Sequence, residues 1–278
     1  CDADIGFYGD DYVGCDVSRG LGYAYNSVTF DVGWNGSPGY GSNPPAIGID
    51  FFEGPYQDAD GIDNVGPRFE EQPDGSFEFV VPTLSEAISG GGIVYRDLGI
   101  GYSDGIIDNE RFGMRRFSYF VASGGPNGFP QAPTDYYNYM IGRFRDNSLN
   151  YYGGNGYTSS NGVTSIQSTH LYPNDSDPML WATQGIDPGW NWSEFDTDGI
   201  GSSNPTNEDK NFLQTAGPFT LTPGAINNLT VGVVYGRSFE GDPYSSVLAL
   251  KRNDTKAQAL FDNCFRILDP PSAPMMDI

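Results

Sequence analysis

Basic side chains are scarce. Fourteen Lys and Arg stand against 36 Asp and Glu, a net charge of −22 over 278 residues. That balance argues against nucleic acid and anionic membrane surfaces as partners, because phosphate binding takes clustered Lys and Arg. Cysteine is scarcer still. Cys1, Cys15 and Cys264 are too few for a disulfide framework. Their odd number leaves at least one free thiol. No spacing rule supports a Cys1–Cys15 bridge, and Cys264 reads as core. Histidine occurs once, at His170, so a Ser-His-Asp triad would have to use it. Its surroundings, SIQSTHLYP, carry no nucleophile elbow. No HExxH, paired CxxC or P-loop motif occurs, which removes the zincin, zinc-ribbon and NTPase readings. The glycine run Gly90–Gly92 lacks the Lys and Ser/Thr of a phosphate cradle. No apolar run approaches membrane-spanning length, and no signal peptide opens the chain. Cys1 suits the acylated first residue of a lipoprotein, but the simpler expectation is a start inside a longer precursor.

What the chain has in plenty is aromatic residues, glycine and proline: 18 Tyr, 18 Phe, 38 Gly and 20 Pro. Aromatics suit strands, while Gly and Pro punctuate turns and disfavour long helices. The expected fold is mainly β, an antiparallel sandwich-like domain with long loops and one C-terminal helix at about 244–268. Residues 1–268 read as one extracellular domain. The proline-rich 269–278 reads as a linker towards a following module.

The most strand-like stretch is Asn211–Arg237. There Leu229, Val231, Val233 and Tyr235 alternate with Thr230, Gly232 and Val234. Period-2 patterning almost without charge predicts a strand in the middle of a sheet. The helix after it has Val247, Leu250, Ala257, Leu260, Phe261, Cys264 and Ile267 at helical spacing. Ser245 or Ser246 is its expected cap. Further strands are expected at Gly20–Asn26, Ser27–Val32, Ala46–Phe52, Ser76–Pro82 and Arg116–Ala122, with a short helix over Thr134–Arg145 capped by Thr134. Residues Asp146–Asn211 lack periodicity and read as an excursion over the surface.

Several phrases carry a resemblance. They are DDYVGCDVSRGLGYAYN at Asp10–Asn26, NPPAIGIDFFEGP at Asn43–Pro55, DGIIDNERFGMRRFSYF at Asp104–Phe120 and DYYNYMIGRFRDNSLNYYGGNGY at Asp135–Tyr157. The DSDP box at Asp175–Pro178, the Asn211–Arg237 stretch and Ser245–Pro274 complete the set. In this order the chain resembles a segment of large surface and secreted proteins of Bacteroidota, substrates of type IX secretion that often carry fibronectin-type-III-like modules. The resemblance implies an extracellular or cell-surface location and no assigned activity. The expected partners are neighbouring domains of the same polypeptide, other surface proteins or further copies in a self-assembly.

Three kinds of site are weighed. Closely spaced carboxylates on Gly-containing loops suit a hard cation such as calcium. The candidates are Asp58, Asp60 and Asp63 first, then the N-terminal Asp2, Asp4, Asp10 and Asp11, then Asp104 and Asp108. Asp196 and Asp198 form a similar pair. The plainer reading is Asp-Gly turns, in which the Asp side chain bonds its own backbone. A glycan-binding module or glycan-active enzyme is the alternative function. It would use Trp190 and Trp192, with Tyr136, Tyr137, Tyr151 and Tyr152, as aromatic faces for sugar rings. No carboxylate pair is singled out as catalytic. The favoured reading is a non-catalytic structural, scaffold or adhesin module, stabilised by calcium.

Overall fold

The structure, a computed structural model, describes residues 4–64, 68–71, 73, 77–80, 99–102, 104–122, 124–178, 180–202 and 208–266. In chain order the elements are β1 (Asp11–Asp16), β2 (Leu21–Asn26), β3 (Phe30–Asp31), β4 (Gly41–Ser42), β5 (Ala46–Glu53), β6 (Arg68–Glu71) and β7 (Phe77–Val80). They continue with β8 (Arg116–Val121), α1 (Pro133–Met140), β9 (Lys210–Thr215), β10 (Thr230–Gly236) and α2 (Tyr244–Asp262). Every pairing between these strands is antiparallel. The mainly-β, sandwich-like expectation stands. Asp2, Cys1, the Gly90–Gly92 run, Ile267, Leu268 and the 269–278 linker lie outside the described residues.

The central sheet runs β1-β2-β5-β10. One face meets the β8–β9 ribbon. There Val13, Cys15 and Ala24 pack with Phe117, Tyr119 and Phe212 in the main core, and Ile47, Ile49 and Phe51 of β5 lean against it. The other face meets α2, where Tyr12, Leu21, Tyr23, Tyr25 and Val234 enclose Val247 and Leu250. β1 and β2 are buried on both faces. The strand-by-strand alternation thus feeds two cores rather than one.

Several expectations are corrected. Among the described strands β10 lies at the edge of its sheet, hydrogen-bonded to β5 alone. Its large residues Val231, Val233 and Tyr235 are exposed, and Gly232, Val234 and Gly236 face α2. The reason is close approach. A Cβ on Gly236 would lie 2.1 Å from the Leu250 backbone nitrogen, so the face under the helix must be small. The helix stops at Asp262, and Cys264 beyond it is exposed with φ +52°. Its N-terminus uses Asp242, whose Oδ1 accepts from Ser245 N at 3.0 Å. Ser246 Oγ instead donates to Pro44 O at 2.8 Å, tying helix to sheet. α1 is shorter than expected and starts with Pro133. Its first turn is closed by the Asp135 carboxylate, which accepts from Gln131 N at 2.9 Å, and not by Thr134.

The stretch 146–211 is not a surface excursion. Tyr152, Leu171, Tyr172, Trp181 and Trp192 from it are all in the main core. Its backbone follows turns, so its anchors have no period, but all of them except Leu171 bury a large ring.

Candidate functional site

The first-choice acidic loop, residues 58–64, folds against the loop 104–110. Asp108 Oδ1 accepts from Asp60 N at 2.8 Å and Gly61 N at 2.9 Å. Asp63 Oδ2 accepts from Gly105 N at 2.7 Å, and buried Glu110 accepts from Asn64 N. Asp104 accepts from Ile106 N and Asn109 Nδ2, both at 2.8 Å. Asp58 turns away and clasps Thr220, through N at 2.6 Å and Oγ1 at 2.7 Å. These bonds hold the Asp58 pKa below the usual carboxylate range. The sequence candidates Asp60, Asp63, Asp104 and Asp108 are therefore brought together. Much of their capacity goes to backbone amides, as the Asp-Gly turn reading expects. Asp63 Oδ1 and Asn109 Oδ1 are the buried oxygens left without a donor there. Asp196 and Asp198 behave similarly: Asp196 Oδ1 accepts from Gly199 N at 2.7 Å, Asp198 Oδ1 from Ile200 N at 3.1 Å.

The N-terminal group is arranged differently. A single 3-10 turn, Tyr8–Asp10, leads into β1 and sets Asp10 and Asp11 beside Asn26, the register partner of Asp11 on β2. Asp11 and Asn26 are buried. Asp11 Oδ2 accepts from Ile5 N at 2.9 Å, and Asn26 Nδ2 donates to Ile5 O at 2.9 Å. Oδ1 of Asp10, of Asp11 and of Asn26 are all buried and receive no hydrogen bond from the described residues. Burial, then the nearby Asp31 carboxylate, push the Asp10 pKa up to about 6. Burial and the carboxylates of Asp10, Asp4 and Asp31 push Asp11 to about 8. Asp31 itself is occupied, accepting from Phe7 N at 3.0 Å and Tyr40 N at 2.6 Å. Asp4 is exposed at the rim. Asn26 was missed by sequence reasoning, because an amide inside a strand carries no motif. Among the described residues no three His, Cys, Asp or Glu side chains converge on one point. A cation here would need the Asn26 oxygen as third ligand, which calcium accepts.

The glycan candidates separate. Trp192 is wholly buried, its Nε1 donating to Gly154 O at 3.0 Å and its ring 4.9 Å from that of Tyr172. No sugar can stack on it, which corrects its assignment. The period-free aromatic spacing gave no sign of this. Tyr152 is also core, its hydroxyl donating to Trp190 O at 2.6 Å. Trp190 is half-buried. It lines a cleft of about 320 Å³ with Asn174, Asp177, Asp187 and Asn191. Tyr136 and Tyr137 stand exposed on α1, and Tyr151 is half-buried.

His170 is core. Its Nε2 lies 3.1 Å from Met114 O and its Nδ1 2.9 Å from Thr169 Oγ1. Burial lowers its pKa to about 4, so the ring is neutral at pH 7. Cys15 is a buried free thiol, its Sγ donating to Leu171 O at 3.5 Å. No described helix is long and apolar enough to cross a membrane. No family model, no curated protein and no solved structure matches the chain.

Proposed function

We propose that the chain is a non-catalytic structural module of a larger extracellular or cell-surface protein, serving as scaffold, adhesin segment or assembly unit, and that calcium fastens its acidic loops. One observation carries the calcium reading. Asp10, Asp11 and Asn26 turn three buried oxygens towards no donor among the described residues. A buried acceptor without a partner costs about 1–3 kcal/mol, more if charged, and a divalent cation converts that cost into coordination. The order of the candidates is thus reversed: the N-terminal group comes first, and the Asp60–Asp63 and Asp104–Asp108 loops second. Export by type IX secretion and partners among neighbouring domains, other surface proteins or further copies belong to the same reading. They rest on the resemblance described above. Thermal midpoints in excess calcium and in EDTA, at matched ionic strength, test the metal. A rise in calcium is expected, and identical midpoints would return the acids to plain turn chemistry.

The Trp190 cleft favours a second reading, a glycan-binding module. A half-buried indole flanked by amides and carboxylates offers both a stacking face and hydroxyl partners. Glycan-array binding that disappears in Trp190→Ala would favour it over the scaffold.

A further inference from the structure

A second acidic constellation lies between the central sheet and α2, away from every loop considered so far. Asp50 on β5 and Asp254 on α2 are 204 positions apart in the chain, yet both line one cleft, close enough that the Asp254 carboxylate opposes ionisation of Asp50. Two buried acids this close hold one proton between them rather than ionise together. Both side chains are buried, at 1% and 2% exposure, and among the described residues no N–H or O–H reaches Oδ1 of either. They line an open cleft of about 690 Å³ whose other walls include Phe52, Ile100 and Gln258, with Asp262 also on its lining. That volume is in the range of ligand sites, roughly 300–1,000 Å³.

The surrounding charges decide what would enter. Asp16 of β1 bridges Lys251 Nζ and Arg19 Nη1, both at 3.0 Å. Arg19 approaches Asp254 only through Nε at 3.8 Å. Lys251 also faces the rings of Tyr23 and Tyr244 and lies 3.9 Å from the exposed Asp175. Asp16, Asp50 and Asp254 therefore face two bases, and the shared proton supplies the third positive charge. Burial, and the Asp254 carboxylate beside it, raise the Asp50 pKa to about 8. Loss of the proton leaves this inner group one negative charge in excess, and the exposed Asp175 and Asp262 add to it at the rim. The group that restores neutrality is a monocation with N–H donors. The apolar walls suit an alkyl stem behind it.

We infer that the cleft between β5 and α2 binds an alkylammonium group, such as a lysine side chain, which takes the place of the proton shared by Asp50 and Asp254. No bond other than O–H breaks, and the proton leaves to solvent. The inference is independent of the calcium reading, and the test is run with calcium saturating.

Isothermal titration calorimetry would compare n-butylammonium and Nα-acetyl-lysine amide with the uncharged Nα-acetyl-norleucine amide. Measurements in buffers of different ionisation enthalpy report the released proton. The two ammonium probes bind, roughly tenfold tighter at pH 9 than at pH 7 given the pKa of about 8, with proton release at pH 7. The norleucine amide does not. Asp50→Asn offers Asp254 an amide in place of the shared proton, and circular dichroism checks that it folds. In it ammonium binding weakens and loses its pH dependence. A lysine-containing peptide that binds more tightly than butylammonium identifies a protein partner, and equal affinity identifies a small amine. Three results would overturn the inference: no heat from either ammonium at millimolar concentration at pH 9, equal binding of the norleucine amide, or binding indifferent to pH.

Discussion

Lys210 Nζ lies 3.0 Å from Glu194 Oε1, with both side chains fully buried. The pair joins β9 to the aperiodic stretch before it, and both partners also reach β1. Lys210 Nζ donates to Asp11 O at 2.9 Å, and Glu194 Oε2 accepts from Val13 N at 2.8 Å. Burial pushes the Glu194 pKa up against the pull of Lys210. A buried pair of this kind is weak evidence for net stabilisation, yet removing one partner strands the other charge. Lys210→Met is therefore expected to lose about 3–5 kcal/mol in urea unfolding. Adding Glu194→Gln removes the stranded charge and keeps an acceptor for Val13 N, so the double variant recovers much of the loss. A double variant as unstable as the single one would show that the charge is not the cause.

His170 sets an acid limb on stability. Its folded pKa is about 4, below the ordinary 6.5, because the ring is buried neutral. A depressed folded pKa means that the unfolded chain takes up the proton first. Its contribution is full above pH 6.5 and is lost as pH falls towards 4, amounting to about 3 kcal/mol at most. His170→Gln should flatten the fall in unfolding free energy between pH 6.5 and 4. A slope unchanged from wild type in that window would assign it to other groups.

The sequence was legible where local pattern and tertiary demand agreed. Ala46–Phe52 is an apolar run that sends Ile47, Ile49 and Phe51 to the main core, Arg116–Ala122 buries five residues in a row, and both strands appear within a residue of the expected bounds. At β10 the period was right and the phase inverted. Apolar size points to burial, whereas the α2 contact selects for small residues, Gly232 and Gly236 on either side of Val234. Asp11–Asp16 was read for its charge alone, although Tyr12, Val13 and Cys15 mark it as a strand. Of the site residues, Asp10, Asp11, Asp60, Asp63, Asp104 and Asp108 were recognisable as clustered acids. Asn26, and the pairing of Asp50 with Asp254, were not. Their meaning comes from a register partner and a helix packed from 204 positions away, and no local spacing encodes either.

Gly236 measures how close that helix lies. With a Cβ position 2.1 Å from Leu250 N and 2.4 Å from its Cα, alanine would have to push backbone, not a pliant side chain. Gly236→Ala is expected to cost about 1–3 kcal/mol or more through displacement of α2. Gly224, in an open turn where an added Cβ meets nothing within 4 Å but φ is +86°, supplies a control for backbone conformation alone. Equal thermal midpoints for Gly236→Ala and Gly224→Ala would refute the close-packing account of the β10 phase.

The N-terminal acids give the calcium reading a signature of opposite signs. Without a cation, Asp11 is a buried carboxyl among Asp10, Asp4 and Asp31, and these neighbours together with burial oppose its ionisation. Asp11→Asn removes that charge while its amide oxygen still accepts from Ile5 N. In EDTA at neutral pH the variant should therefore melt at or above the wild-type midpoint. In excess calcium wild type gains from binding to the folded state alone, about 2.7 kcal/mol when calcium is a hundred times its dissociation constant. The variant has lost a charged ligand and gains less, so the order of midpoints reverses. Asp58→Asn separates the sites. Asp58 is bound to Thr220 rather than turned towards the other acids, so its loss should lower both midpoints by a similar amount and leave the calcium increment intact. If Asp11→Asn keeps the full increment while Asp60→Asn or Asp108→Asn loses it, the metal belongs to the paired loops, and the three buried oxygens at the N-terminus need another explanation.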